Sequence, residues 1–444
     1  MLRLSILITL LLTTIYMTGC GALAPEVTTD SSKASLAIPS ATALPATSDT
    51  SETAIRFLEN RVKGDPDDIV AQNRLGGFYL QLLRETGNVS YLNLATRAAE
   101  ASLKSVPAEQ NAGGLELLAQ AEFGSHDFAK ARAHATKLIT IEPGKKAAFA
   151  YGLLGDSLSE LGEYDKAEAA YQQLQKLSRS GTFTLTRLAR RDWLRGEVKN
   201  AEQLFTQALL TAIEGVPPSR ETVAWCRWQL GELAFAGGDY ETAEKHAREA
   251  LTTYPGYFRG LAALGRVRAA RNDLAGAIEQ YEHAVRIIPE PVFVAALGDL
   301  YKLAGRDKEA AAQYALVEQT AKLSVASGQL YNRQLALFDA DHDLKAEEAY
   351  SLARTEYEMR HDLYGADALA WTALKAGKVS AAQEAIKDAL RLGTKDARLL
   401  YHAGMIAKAA GDQRAARDYL ERALALNPQF DPLQSVIARK ALAE

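Results

Sequence analysis

Leucine followed by a small residue recurs along this chain at intervals near 34 positions, as Leu154-Gly155, Leu230-Gly231, Leu264-Gly265 and Leu297-Gly298. Thirteen positions after each leucine stands an alanine: Ala167, Ala243, Ala277 and Ala310. In many units a larger apolar residue follows four positions later, such as Tyr171, Phe205, Tyr281, Tyr314, Ile386 and Leu420. That spacing puts the alanine and the larger side chain on one helical face. Turn formers sit between the two apolar stretches, as at Gly162-Glu163, Gly196-Glu197, Gly238-Asp239, Gly377-Lys378 and Gly411-Asp412. The glycine can end one helix and the polar residues after it can start another. Pro107, Pro143, Pro255, Pro289 and Pro428 each close a unit twelve positions after its alanine. A fixed period of this size predicts stacked copies of one small helical unit. A generic amphipathic bundle needs no such period.

The pattern resembles the tetratricopeptide repeat, a 34-residue pair of antiparallel helices with Leu-Gly in the first helix and Ala in the second. The leucine-position residues are Leu75, Leu118, Leu154, Leu188, Leu230, Leu264, Leu297, Leu335, Leu369 and Ala403, each followed by Gly or Ala. The small residue lets the two helices of a unit approach closely. The resemblance implies an all-α, right-handed α-solenoid of about ten antiparallel helix-pair repeats over residues 67–430. Residues 51–66 read as an N-terminal capping half-repeat, and residues 431–444 as a C-terminal capping helix. Three leucine steps depart from the period. They are 43 from Leu75 to Leu118, 42 from Leu188 to Leu230, and 38 from Leu297 to Leu335. Repeat eight is the least regular copy, and Ala336 competes with Leu335 for its leucine position. Insertions in solenoids are expected in loops.

The first residues read as an address. Arg3 precedes an uncharged apolar run over residues 4–17, short of the roughly 20 residues a spanning helix needs, so residues 1–19 suit a signal peptide. Thr18-Gly19-Cys20 resembles the lipobox of bacterial lipoproteins, with Met17 where leucine is usual. That resemblance implies lipidation of Cys20, cleavage before it, and membrane anchoring through the new N-terminus. Gly21 after the cysteine implies transfer to the periplasmic face of the bacterial outer membrane. Residues 20–50, rich in Ala, Ser, Thr and Pro, then read as the lipidated cysteine and a disordered tether reaching roughly 30 Å.

Composition adds little. Charged residues make up 24% of the chain and the net charge is -4, too small to imply nucleic acid as the main partner. No HExxH pair, P-loop or GxSxG elbow is present, and neither enzymatic activity nor a cofactor is expected. The run Asp339-Ala340-Asp341-His342-Asp343 has the aspartate spacing of a calcium loop. Leu344 and Tyr350 stand where that loop needs glycine and glutamate, so an interhelix turn capped by these aspartates is expected instead. Once Cys20 is lipidated, Cys226 is alone and reads as a buried apolar residue.

In the tetratricopeptide family the first helices line a concave groove. Positions five before, two before, two after and five after the leucine face it. The resemblance places Phe183, Arg190 and Trp193 there in repeat four. Trp225, Trp228, Glu232 and Phe235 follow in repeat five, and Arg259 and Arg266 in repeat six. Aromatic and Arg side chains are the usual anchors of binding surfaces. Such a groove suits a protein or peptide partner in envelope assembly, secretion or surface-complex maintenance. A polysaccharide or small ligand stacking on the rings is the other reading. Equally, the rings can fill space between successive first helices.

Overall fold

A computed structural model describes residues 38–44, 48–326 and 333–444; the expected signal peptide and Cys20 lie outside them. The described residues form 22 α-helices and no strand. Helix α1 (Ser48–Gly64) precedes ten helix pairs. The first four pairs are α2 (Ile69–Thr86) with α3 (Ser90–Ser105), α4 (Ala112–Gly124) with α5 (Phe128–Ile141), α6 (Ala148–Glu160) with α7 (Tyr164–Leu177), and α8 (Thr182–Leu194) with α9 (Val198–Ile213). Next come α10 (Arg220–Ala236) with α11 (Tyr240–Thr253), α12 (Phe258–Ala270) with α13 (Leu274–Ile287), and α14 (Pro291–Leu303) with α15 (Asp307–Ala326). The last three are α16 (Arg333–Asp341) with α17 (Ala346–Met359), α18 (Leu363–Lys375) with α19 (Val379–Leu390), and α20 (Ala397–Ala409) with α21 (Gln413–Leu426). Helix α22 (Gln434–Ala443) follows. Each helix packs most heavily on its sequence neighbours, as a right-handed α-solenoid requires.

The recurring residues explain the pairs. The tyrosine four positions after the alanine lies across the glycine of the first helix. A Cβ built on Gly155 would stand 2.5 Å from the Tyr171 ring, and one on Gly298 2.5 Å from Tyr314. Every closing proline stands two residues beyond its helix end, and the residue between is extended, as at Tyr254 (φ -134°, ψ 90°) and Ile288 (φ -147°, ψ 114°). Clash with the proline ring excludes the helical conformation there. At the interhelix turns, Asp127, Asp239, Asp273 and Asp412 each accept a hydrogen bond from the backbone N–H three residues on. Each such N-cap is worth about 1 kcal/mol.

The departures from the period are resolved helix by helix. The extra residues of repeat one lengthen α2 to 18 residues rather than forming a loop. In repeat eight, α16 ends six residues after Leu335, as α14 ends six after Leu297. Leu335 therefore holds the leucine position, and Ala336, fully buried, holds the small one. The turn after α16 is one residue longer than the one after α14. The Leu344 N–H closes on the Asp339 carbonyl as Arg306 N–H does on Tyr301, but the first N–H of the next helix to bond back then reaches Lys345. Lys345 takes up the extra residue in the left-handed region (φ 42°) and makes no side-chain cap. The expectation that the aspartates of this turn cap α17 is thus corrected. Asp341 accepts the Trp371 indole N–H at 2.8 Å, and Asp343 pairs with Lys375 at 2.6 Å.

The solenoid winds tightly enough for its early repeats to rest on its later ones. The Arg360 guanidinium (α17–α18 turn) meets Glu160 at the end of α6, with Nε 2.8 Å from the carboxylate, across 200 positions of sequence. The Tyr164 hydroxyl accepts the Leu363 N–H at 2.8 Å, and the Asn427 amide donates to the Phe235 carbonyl at 2.7 Å. Repeat one joins in: Arg84 faces Glu221 at 3.9 Å and Tyr254 donates to the Glu85 carbonyl at 3.3 Å. Two interhelix glycines are required by this stacking as well as by their turns. A Cβ on Gly162 would stand 2.2 Å from the His361 carbonyl oxygen, and one on Gly196 2.5 Å from that of Gly393.

Residues 38–44 fall within the stretch expected to be a free tether. They instead run along the body, where Ile38 and Leu44 pack against the core of repeats four and five. Helix α1 also begins inside that stretch, at Ser48.

Candidate functional site

In two repeats the tyrosine that covers the glycine carries its hydroxyl to the residue two places after the leucine, a predicted groove position. Tyr171 donates to Asp156 at 3.0 Å, and Tyr314 to Asp299 at 2.8 Å. These positions then pair along the stack. Asp156 meets the buried Arg187, whose Nε donates at 2.9 Å. Glu232 accepts from Arg266, one repeat on, at 2.6 Å. His342 Nε2 lies 2.7 Å from Asp299. Burial raises the Asp156 carboxyl to about 6 against the opposing pull of Arg187. Burial alone would lower the His342 imidazole, but the Asp299 carboxylate and the Phe338 carbonyl raise it to about 9.

The predicted site residues fall into three groups. In the first, Trp225 is 5% exposed, with its ring edge-on to Phe205 at 6.1 Å and to Trp228 at 6.3 Å. Trp228 is only half-buried, and the Arg259 guanidinium lies 5.2 Å above its ring. Trp193, also half-buried, packs against the same core. In the second, Phe235 is buried against Tyr240, with Arg266 lying 4.1 Å above it and tied to Glu232. In the third, Phe183 stacks on Phe149 at 5.1 Å beneath Arg187, while Arg190 faces Glu160 at 3.9 Å. Trp225 and Phe235 therefore fill space between helices, and the other predicted residues stay partly accessible, Trp228 and Arg259 among them as a ring with a cation over it. Trp371 is also core: it is 1% exposed and stacks on His402 at 4.2 Å.

One element of the site was not foreseen. Within the extended segment 38–44, the Pro39 carbonyl accepts a hydrogen bond from Arg227 Nη2 at 3.1 Å. The Leu44 N–H donates to the Thr253 carbonyl at 3.2 Å. Arg227 is 1% exposed and is also paired with Glu249. The Ile38 and Leu44 side chains reach the core cluster that holds Trp225, with Trp193 and Trp228 packed on it too. The sequence hint is slight: Ile38-Pro39 and Leu44-Pro45 each set a large aliphatic residue before a proline.

No three His, Cys, Asp or Glu side chains among the described residues stand together as a metal site. Cys226 is fully buried, and burial pushes its thiol far above the ordinary range. An open hollow of about 530 Å³ between α5, α6 and α7 has an apolar floor at Tyr151, Leu154 and Leu158. Its rim holds the Arg132–Glu163 pair, at 2.7 Å.

Comparison with known proteins agrees with the helix pairs. Family models described as tetratricopeptide repeat match residues 150–180, 229–290 and 368–429. The human cell division cycle protein 16 homolog is 27% identical over 195 residues, which cover 42% of this chain and 30% of that protein. Three solved structures align with low identity. The crystal structure of MamA is 20% identical, with TM-score 0.32 over 39% of this chain and 97% of that one. Pseudomonas aeruginosa pilF is 17% identical, with TM-score 0.31 over 70% and 99%. Yeast Tom70 is 12% identical, with TM-score 0.39 over 89% and 93%. Three family matches, set on ten helix pairs with the glycine–tyrosine packing described above, make this chain a tetratricopeptide repeat protein.

Proposed function

We propose that this chain is a membrane-anchored scaffold that holds a protein or peptide partner in cell-envelope assembly, secretion or surface-complex maintenance. The tetratricopeptide fold is generally a non-enzymatic interaction fold, and repeat stacks supply extended surfaces for binding. The observation that carries the reading is the Trp228–Arg259 pair. Trp225, Phe235 and Trp371 are sequestered, whereas Trp228 and Arg259 stay half-buried with the guanidinium over the ring. A rigid ring with a cation beside it is the usual chemistry of a binding anchor.

The anchor rests on the signal-like start and Cys20, and the periplasmic face of the outer membrane is the location that Gly21 favours. No helix among the described residues is long and apolar enough to cross a membrane. The test uses the full chain in its native cells. A partner caught by crosslinking the wild-type protein should be lost on Trp228→Ala with Arg259→Ala while helical content is unchanged. Retention of that partner by the folded double variant would refute the site. Cys20→Ser should move the protein out of the membrane fraction, and unchanged fractionation would refute the anchor.

A further inference from the structure

We infer that the seat occupied by residues 38–44 is a binding site for an extended, uncharged peptide with an aliphatic anchor near each end. The chain's own segment is its resident ligand. The inference deepens the scaffold reading by naming the chemistry of a partner segment and what that segment must displace.

Arg227 holds one end of the segment. Its guanidinium is almost wholly buried, and Glu249 already balances its charge. What it offers to a ligand is an N–H for a neutral carbonyl, which the Pro39 main chain accepts. Its Nε has no hydrogen-bond partner among the described residues. A paired arginine of this kind does not require a carboxylate, and the resident segment Ile38-Pro39-Ser40-Ala41-Thr42-Ala43-Leu44 carries no charge. Five positions after Pro39, the Thr253 carbonyl at the end of α11 accepts the Leu44 N–H. Recognition is thus by main chain at both ends, and the aliphatic side chains of Ile38 and Leu44 pack against the apolar cluster that holds Phe205, Trp225 and Tyr257. Main-chain hydrogen bonds with alternating side-chain pockets are a general way of holding an extended peptide.

The resident is also held lightly. Pro39, Ser40, Thr42 and Ala43 are exposed, and two backbone hydrogen bonds serve seven residues. The ordering entropy of such a stretch offsets most of what those contacts contribute. Its advantage is attachment: α1 begins four residues after Leu44, which keeps the segment at high local concentration. A partner segment with the same two anchors therefore competes for one place.

The test uses the full chain and a fluorescein-labelled peptide of residues 36–46. In the chain carrying Ile38→Asp and Leu44→Asp the seat is vacated, and the labelled peptide should bind it at least ten-fold more tightly than it binds wild type. The same peptide with both anchors changed to Asp should not bind. No binding to the vacated chain, equal binding to both chains, or binding of the anchorless peptide would each overturn the proposal. Amide exchange at Leu44 of the wild-type chain gives an independent reading. Protection is expected, and exchange at the rate of a free peptide would overturn it. The assay contains no cellular partner, so its failure leaves the Trp228–Arg259 scaffold reading standing.

Discussion

Two tryptophans three positions apart do different work. Trp225 and Trp228 lie on the same helix and touch each other, yet one is sealed in the core and the other borders solvent. Trp225→Ala should cost about 3–5 kcal/mol of unfolding free energy, as for a large ring removed from a packed site. Trp228→Ala should cost roughly 1–2 kcal/mol, in proportion to the smaller apolar area it buries. Denaturant titration of both variants checks the ranking, and equal losses would contradict it. At this scale the sequence was informative wherever the spacing was local. Leu, Gly, Ala and the covering Tyr lie within about one repeat of each other, and their contacts follow from helical geometry. Whether a ring on the first helix faces solvent was not legible. It depends on which neighbours the stack brings, such as Phe205 beneath Trp225 and Arg259 above Trp228.

Among the elements, repeat eight shows how far a period can bend. Its turn carries one extra residue, and His342 in that turn reaches back to Asp299 of the preceding repeat. From sequence, its register was ambiguous because the alanine lies one place late, and only the turn geometry shows where the extra residue goes. His342 also gives this junction a pH dependence. Its folded pKa of about 9 lies above the ordinary 6.5, so the proton it holds stabilises the fold fully below about 6.5. That contribution is lost as pH rises through 9. The wild-type melting temperature should therefore fall between pH 7 and pH 10. His342→Gln should be less stable than wild type at pH 7 and should show a smaller fall over the same range. An unchanged pH profile in the variant would remove His342 as the cause.

Over the whole molecule, the contacts that matter are those about 190 to 200 positions apart, between Glu160 and Arg360, Tyr164 and Leu363, and Phe235 and Asn427. They turn a linear stack into a coil whose early repeats support its later ones. A repetitive sequence conceals this, because every unit carries the same helix-pairing residues and none of them encodes the pitch. The charged residues at the crossing are individually unremarkable in sequence, yet Glu160, Arg333, Glu356, Arg360 and Asp362 are all buried together. Burial opposes the charge on Asp362, and Arg333 and Arg360 overcome it, holding the carboxyl down at about 2. Burial, helped by the same two cations, pushes the neighbouring His126 down to about 3 and keeps it neutral. The docked segment 38–44 is hidden for a related reason: its composition matches the tether around it, and its partners lie some 190 to 210 positions away.

A double-mutant cycle on Glu160 and Arg360 tests whether the coil supports itself. Glu160→Gln and Arg360→Met are made singly and together in the full chain, and unfolding free energies are measured by denaturant titration. Each single change should cost about 2–3 kcal/mol, because it unbalances the buried cluster, in which Arg360 keeps Asp362 and Glu160 keeps Arg190. Together they should cost clearly less than their sum, with a coupling of roughly 1–3 kcal/mol between residues 200 positions apart. Additivity within about 0.5 kcal/mol would mean that the two residues do not meet, and that the repeats form an open stack rather than a coil resting on itself.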